Sequence, residues 1–206
     1  MTNRLRDNYA SLKICWNGGL KQHFFQTTAA FFILTAIFFT IAMISPRMQE
    51  SFLNMISTSV SQVMSEDGSI DGVYLLTNNI TACGMIMLYG FLPFVRLSAL
   101  ALGTNAMVMG CMAALYVQND FSMLTFFSGI LPHGFLELPA MFLSIAIGLY
   151  ICENISRFLR RDKSACSPWA CLVWLARFHL LVLIPLLTGA ALIELYVTPV
   201  IMALFT

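Results

Sequence analysis

Ile130-Leu-Pro-His-Gly-Phe-Leu-Glu-Leu-Pro-Ala140, running on into Met141-Phe-Leu-Ser-Ile-Ala-Ile-Gly148, is greasy enough for a lipid bilayer yet holds a histidine, a glutamate and two prolines. An ionisable side chain at the centre of a membrane helix costs roughly 2.5–3.5 kcal/mol on insertion scales, so such groups face the bundle interior or a water-filled cavity. On a helix His133 and Glu137 lie four apart, and Ala140, Ser144 and Gly148 follow at spacings of three and four, which puts all five on one face. That face is small and polar. It predicts close packing against other transmembrane helices, with an imidazole and a carboxylate turned toward whatever they present.

The rest of the chain suits that setting. Of its 206 residues 59% are hydrophobic and only 10% charged, with a mean hydropathy of +0.80, whereas soluble domains carry roughly 25% charged residues. The apolar runs are continuous, without the alternation that a transmembrane barrel requires. They predict an all-α, polytopic helical membrane protein in which residues 1–206 form a single integral membrane domain. A net charge of +1, with no basic patch interleaved with aromatics, excludes a nucleic-acid partner. Cys15, Cys83, Cys111, Cys152, Cys166 and Cys171 form no C-x-x-C pair and fall mostly in or beside apolar runs. They read as small hydrophobes, not as a disulfide framework or a zinc site.

Leu5, Tyr9, Leu12, Trp16 and Leu20 recur at helical spacing, with Arg4, Arg6, Asp7 and Lys13 elsewhere on the wheel. They predict an amphipathic interfacial helix over residues 1–22, broken at Gly18-Gly19, which anchors on the cytoplasmic surface or docks a soluble partner. The same residues lack the apolar core and cleavage site of a signal peptide, so the chain is expected to keep its start.

A first span covers Phe24 to Ile44, and residues 45–73 form a polar extracytoplasmic segment with an acidic tip at Glu66, Asp67 and Asp71. The second span runs from about Thr77 to Pro93 and the third from about Ser98 to Val117. In the third, Ala99, Gly103, Ala106, Gly110 and Ala114 make two overlapping small-residue rows suited to close helix approach, in this chain or in a dimer. The stretch 121–151 is too long for one straight span and contains Pro132 and Gly134. A broken helix or re-entrant segment is therefore expected near 121–134, followed by a helix from about His133 to Cys152. With a last span from about Cys171 to Ala191, kinked at Pro185, the expected total is about five. Lysine and arginine cluster in the first 21 residues, at Arg96 and between 157 and 163, against Arg47 alone on the other side. By the positive-inside rule the N-terminus is cytoplasmic.

This topology puts Asn78, Asn79, His133, Glu137 and Glu194 at one depth near the outer side, with Asn105 near the middle of the third span. Two readings stay open. The cluster is an interhelical clamp without chemistry, worth about 1 kcal/mol per hydrogen bond, or it lines a site for a proton, cation or polar ligand. A metal site needs three convergent ligands, which two carboxylates and a histidine can supply. No H-E-x-x-H or G-x-S-x-G motif accompanies them, so no metal ligand, catalytic residue or cofactor is assigned. Arg177 and His179 fall in the opposite layer, with Arg96 and Glu153.

Leu131-Pro-His-Gly-Phe-Leu-Glu-Leu-Pro-Ala140 with Gly148, Asn78-Asn79, Asn105 with Gly110, and the ending Ala190-Ala-Leu-Ile-Glu-Leu-Tyr-Val-Thr-Pro199 together resemble the stage II sporulation protein M family. The intact Pro-His-Gly and Glu block is similar to the broad branch of that family more than to its sporulation-specific one. The resemblance implies five or six spans, no assigned active site, a bacterial or archaeal cytoplasmic membrane and a partner-dependent role. In the sporulating member that role is a scaffold for cell-wall hydrolases, and other members occur beside ATPases, transport genes or bacteriocin operons. The expected function is a non-enzymatic integral membrane subunit of a transport or cell-envelope complex. Its expected partners are the lipid bilayer, a second copy of the chain, other membrane proteins or a cytoplasmic ATPase. The alternative is a transporter or permease subunit in which Glu137 and His133 define an ion or polar-ligand pathway.

Overall fold

A computed structural model describes residues 13–45, 47–49, 51–54 and 72–204, and among these there are helices and connecting turns but no strand. Most of the expected N-terminal amphipathic helix and most of the 45–73 segment lie outside the described residues.

The first long helix, α1 (Lys21–Ile44), continues from a π-helical turn, Trp16–Leu20, in which Gly19 adopts φ 124°. Only glycine takes that conformation without strain, so the Gly18-Gly19 pair bends the chain where its composition predicts. At the other end Ser45 is extended (φ −120°, ψ 102°), as a residue before a proline must be. Helix α2 (Gly72–Leu88) tightens into a 3-10 turn, Tyr89–Phe91. Left-handed Phe94 and Arg96 then reverse the chain into a second such turn, Leu97–Ala99, and helix α3 (Leu100–Gln118). Helix α4 spans Met123–Leu159. Helix α5 (Pro168–Phe178) starts on Ser167, whose side chain accepts from the Ala170 amide. A π-helical turn, His179–Leu183, joins it to α6 (Ile184–Tyr196), and the short α7 (Thr198–Met202) follows.

Four segments are long and apolar enough to cross a membrane: Lys13–Ile44, Leu97–Gln118, Met123–Leu159 and Pro168–Tyr196. Helix α2, with 17 residues, is a fifth and shorter apolar helix. Pro185 produces a widened turn just before it, since the missing proline N–H leaves a carbonyl of the preceding turn unpaired.

One expectation is corrected. No break or re-entrant segment occurs near 121–134, because Met123–Leu159 is a single helix of 37 residues with Pro132 and Pro139 inside it. Each proline removes one backbone donor, a loss of about 3 kcal/mol in an unsupported helix. Here neighbours grip both sides of Pro132. A Cβ on Gly129 would stand 3.4 Å from Met202 Sδ of α7, and one on Gly189 of α6 would stand 3.1 Å from Leu136. At a rise of about 1.5 Å per residue α4 is roughly 55 Å long, more than a bilayer core, so its far end with Arg157 projects beyond the membrane.

Helix α4 is the centre of the bundle, and Ala140 through Gly148 are buried on it without interruption. A Cβ on Gly148 would lie 2.7 Å from the Ile86 carbonyl and collide with Ser98 Oγ, which itself donates to that carbonyl at 2.7 Å. Ala140, Ser144 and Gly148 are thus packing positions, as their spacing predicts. On α3 the inward row is Ala106, Gly110 and Ala114, and a Cβ on Gly110 would stand 2.5 Å from the Thr35 carbonyl of α1. Gly103 behaves otherwise: among the described residues nothing lies within 4 Å of its Cβ position. The small-residue row that suggested a dimer is largely covered by α1 of the same chain.

Candidate functional site: a polar cluster within the bundle

Four side chains from three helices meet at the end of the bundle where α2 begins and α6 finishes. The helical repeat of α4 stacks His133 and Glu137, with Nε2 3.9 Å from Oε2. Across the gap, Asn79 of α2 donates its Nδ2 amide to Glu137 Oε1 at 2.5 Å. From the last turn of α6 comes Glu194, and one ligand-type atom each of His133, Glu137 and Glu194 lie within 4.8 Å of one another. All three residues are partly buried.

A fifth residue orients the histidine. Thr198, buried where α6 passes into α7, has its hydroxyl 3.5 Å from His133 Nδ1 and donates to the Ile193 carbonyl at 3.3 Å. With its hydrogen used there, its oxygen is free to accept from His133 Nδ1 in the tautomer protonated at that nitrogen. His133 Nε2, 3.9 Å from Glu137 Oε2, faces the carboxylate. Thr198 appeared in the sequence only as part of the Glu-Leu-Tyr-Val-Thr-Pro ending. Its polarity, buried beside a helix-starting proline, was the available signal.

Beside the cluster lies a cavity of about 340 Å³ between α2, α3 and α4. His133 and Glu137 contribute to its lining, Asn79 and Cys83 come from α2, and Asn105 and Met109 from α3. Among the described residues, no lysine or arginine lines it. Asn105 therefore reaches the same space as Asn79, although its amide is held by the Ala101 carbonyl at 2.8 Å. Asn78 does not join the cluster. One step along α2 turns it by about 100°, and it is exposed outside the cavity lining. Glu194 approaches from the α6 side and is not part of the cavity lining.

The opposite end is basic and internally paired. His23 of α1 meets Glu153 of α4 at 3.1 Å, and Arg157 reaches Asp162 at 2.9 Å. Asp162 also accepts from the Ser164 hydroxyl at 2.6 Å and the Ser164 amide at 2.9 Å, which with Arg157 hold its carboxyl down at about 2. Glu153 lies in this layer as expected. His179 sits at mid-bundle, its ring 3.3 Å from the Cβ position of Gly84.

A family profile described as Stage II sporulation protein M matches residues 28–199. The chain belongs to the Stage II sporulation protein M family. The matched stretch contains every residue of the cluster, Asn79, His133, Glu137, Glu194 and Thr198, and leaves out the amphipathic N-terminus. No curated protein and no solved structure matches the chain. Membership in the Stage II sporulation protein M family and the apolar helices agree on a membrane protein.

Proposed function

We propose that this protein is a non-enzymatic integral membrane subunit of a multi-protein transport complex, acting through a cation or polar-ligand site formed by His133, Glu137 and Glu194. The observation that carries this reading is the convergence of two carboxylates and an imidazole beside a cavity without a lysine or arginine in its lining. A clamp gains stability from complementary partners. Two carboxyl groups this close in a low-dielectric interior cannot both stay ionised unless a positive charge, a proton or a metal cation, joins them. Cation handling explains the arrangement better than clamping does.

Supporting the non-enzymatic part, the hydroxyl beside His133 belongs to Thr198 and is committed to the Ile193 carbonyl. An activated nucleophile needs its proton directed at a base instead. A bacterial or archaeal cytoplasmic membrane, with the N-terminus cytoplasmic, accords with the family and with the basic residues gathered at the Arg157–Lys163 end. A cytoplasmic partner such as an ATPase would meet that end, where a polar pocket of about 590 Å³ is lined by Gln22, His23, Glu153 and Arg157 among others.

The test compares tagged wild type with Glu137→Gln in native membranes, by gentle-detergent pull-down, mass spectrometry of what is retained, and solute flux. Glu137→Gln is expected to hold the same partners at the same ratio while flux is lost. Flux that persists at wild-type level per assembled complex would refute the site and return the cluster to a clamp.

A further inference from the structure

We infer that His133, Glu137 and Glu194 are the protein ligands of a divalent first-row transition cation of the zinc type, a conclusion that rests on the cation-site reading above. The three donor atoms already lie within 4.8 Å of one another. Around a metal with N and O ligands at about 2.0–2.2 Å, donors stand roughly 3–3.5 Å apart. Closing the set to metal-ligand spacing asks each donor to move by about an ångström.

The surroundings are arranged as those of metal ligands are. A ligating histidine donates its second ring N–H to an oxygen, which fixes the tautomer and aims the lone pair. Thr198 Oγ1, 3.5 Å from His133 Nδ1, is placed to accept that N–H, with Nε2 3.9 Å from Glu137 Oε2. A ligating carboxylate is commonly steadied through its other oxygen. Asn79 does so on Glu137 Oε1, leaving Oε2, the oxygen 3.9 Å from His133 Nε2, turned inward.

Charge points the same way. Two carboxylates and a divalent cation sum to zero, which suits a bundle interior where neither lone anions nor a lone cation are stable. Between Lys21 and Arg96 the chain carries one lysine or arginine, Arg47, and between Arg96 and Arg157 none. Among the described residues of the cavity lining, His133 is the one side chain that can carry a positive charge, and in the ligand role it is neutral. An imidazole in the set favours zinc or iron over magnesium, calcium and manganese, which suit oxygen ligands. The 340 Å³ cavity lined by His133 and Glu137 would leave room beside the ion for water or an incoming group.

The test uses full-length protein in detergent, stripped with a chelator and titrated with Zn²⁺ by calorimetry, with Mg²⁺ and Ca²⁺ as controls. Co²⁺ absorption spectra report the ligand type. One Zn²⁺ per chain is expected, with affinity falling at least tenfold in each of His133→Ala, Glu137→Gln and Glu194→Gln. About a tenfold loss is expected in Thr198→Val, which touches no metal. The Co²⁺ spectrum should lack thiolate charge-transfer bands. Absence of saturable Zn²⁺ binding, binding indifferent to all three ligand variants, or a thiolate spectrum from the cysteines overturns the inference. If Zn²⁺ does not bind but Glu137→Gln still loses flux with assembly intact, the metal assignment alone fails. If Zn²⁺ binds at these residues while Glu137→Gln keeps full flux, the transport reading alone fails.

Discussion

Asn79 of α2 and Glu137 of α4, 58 positions apart in the chain, are joined by a 2.5 Å hydrogen bond that ties the two helices at the edge of the cavity. Interhelical bonds of this kind are worth about 0.5–1.5 kcal/mol, because the separated helices also find partners. Asn79→Ala is therefore expected to lower unfolding free energy by about 1 kcal/mol in wild type and by much less in a Glu137→Ala background. Chemical unfolding of the four proteins of that double-mutant cycle, followed by circular dichroism, measures the coupling.

Glycines on the packed faces should tolerate a methyl group very differently. Gly148→Ala forces a Cβ against the Ile86 carbonyl and Ser98, and Gly110→Ala forces one against the Thr35 carbonyl, both backbone or tightly held groups. Overpacking of this sort costs about 1–3 kcal/mol. Gly103→Ala meets nothing within 4 Å and should be neutral or slightly stabilising through helix propensity. Unfolding temperatures in detergent rank the three variants.

The loop after α4 should respond to acid, and only to strong acid. Asp162 has its carboxyl held at about 2, below its ordinary 3.8, by Ser164 and Arg157. A depressed carboxyl contributes stability that is complete above the unfolded value and disappears as pH falls through the folded one. Hydrogen-exchange protection of the Ser164 amide, which donates to Asp162, should hold from neutrality to about pH 4 and fade toward pH 2. Asp162→Asn should weaken it already at neutral pH.

Topology follows from the same helices. Asp120, in the turn between α3 and α4, and Lys163, in the turn before α5, lie at opposite ends of α4. In a cysteine-free background, a membrane-impermeant thiol reagent added to whole cells should label Asp120→Cys and spare Lys163→Cys. The reverse pattern would invert the orientation proposed above.

Most of the cluster was legible because its signals are one-dimensional. A histidine and a glutamate four apart in an apolar run must share a helix face, and the small residues after them must turn inward with it. Glu194 joined them through span counting alone, since the end of one span and the start of another share a depth. What the sequence misjudged depends on neighbours. Pro132 reads as a break when α4 is considered alone, yet Met202 and the Gly189–Leu136 contact hold the helix together on both sides. Gly103 and Gly110 look alike in their row, and only the position of α1 decides which one is covered. Asn78 and Asn79 likewise differ by one residue, which is a turn of the helix wheel that a loosely bounded span cannot fix. Thr198 was hidden because its role comes from the bend between α6 and α7.

The central claim is that the cluster exists to receive a cation, and the most direct measurement is the stability of Glu137→Gln in cation-free buffer. Glutamine keeps the oxygen that accepts from Asn79 and removes one of two neighbouring carboxyl groups. A site built for a cation is destabilising when empty, so Glu137→Gln should unfold at the same or a higher temperature than wild type and lose any rise on adding Zn²⁺. A clear fall in unfolding temperature without cation, with wild type unmoved by Zn²⁺, would mean that Glu137 is a structural clamp and would contradict the account.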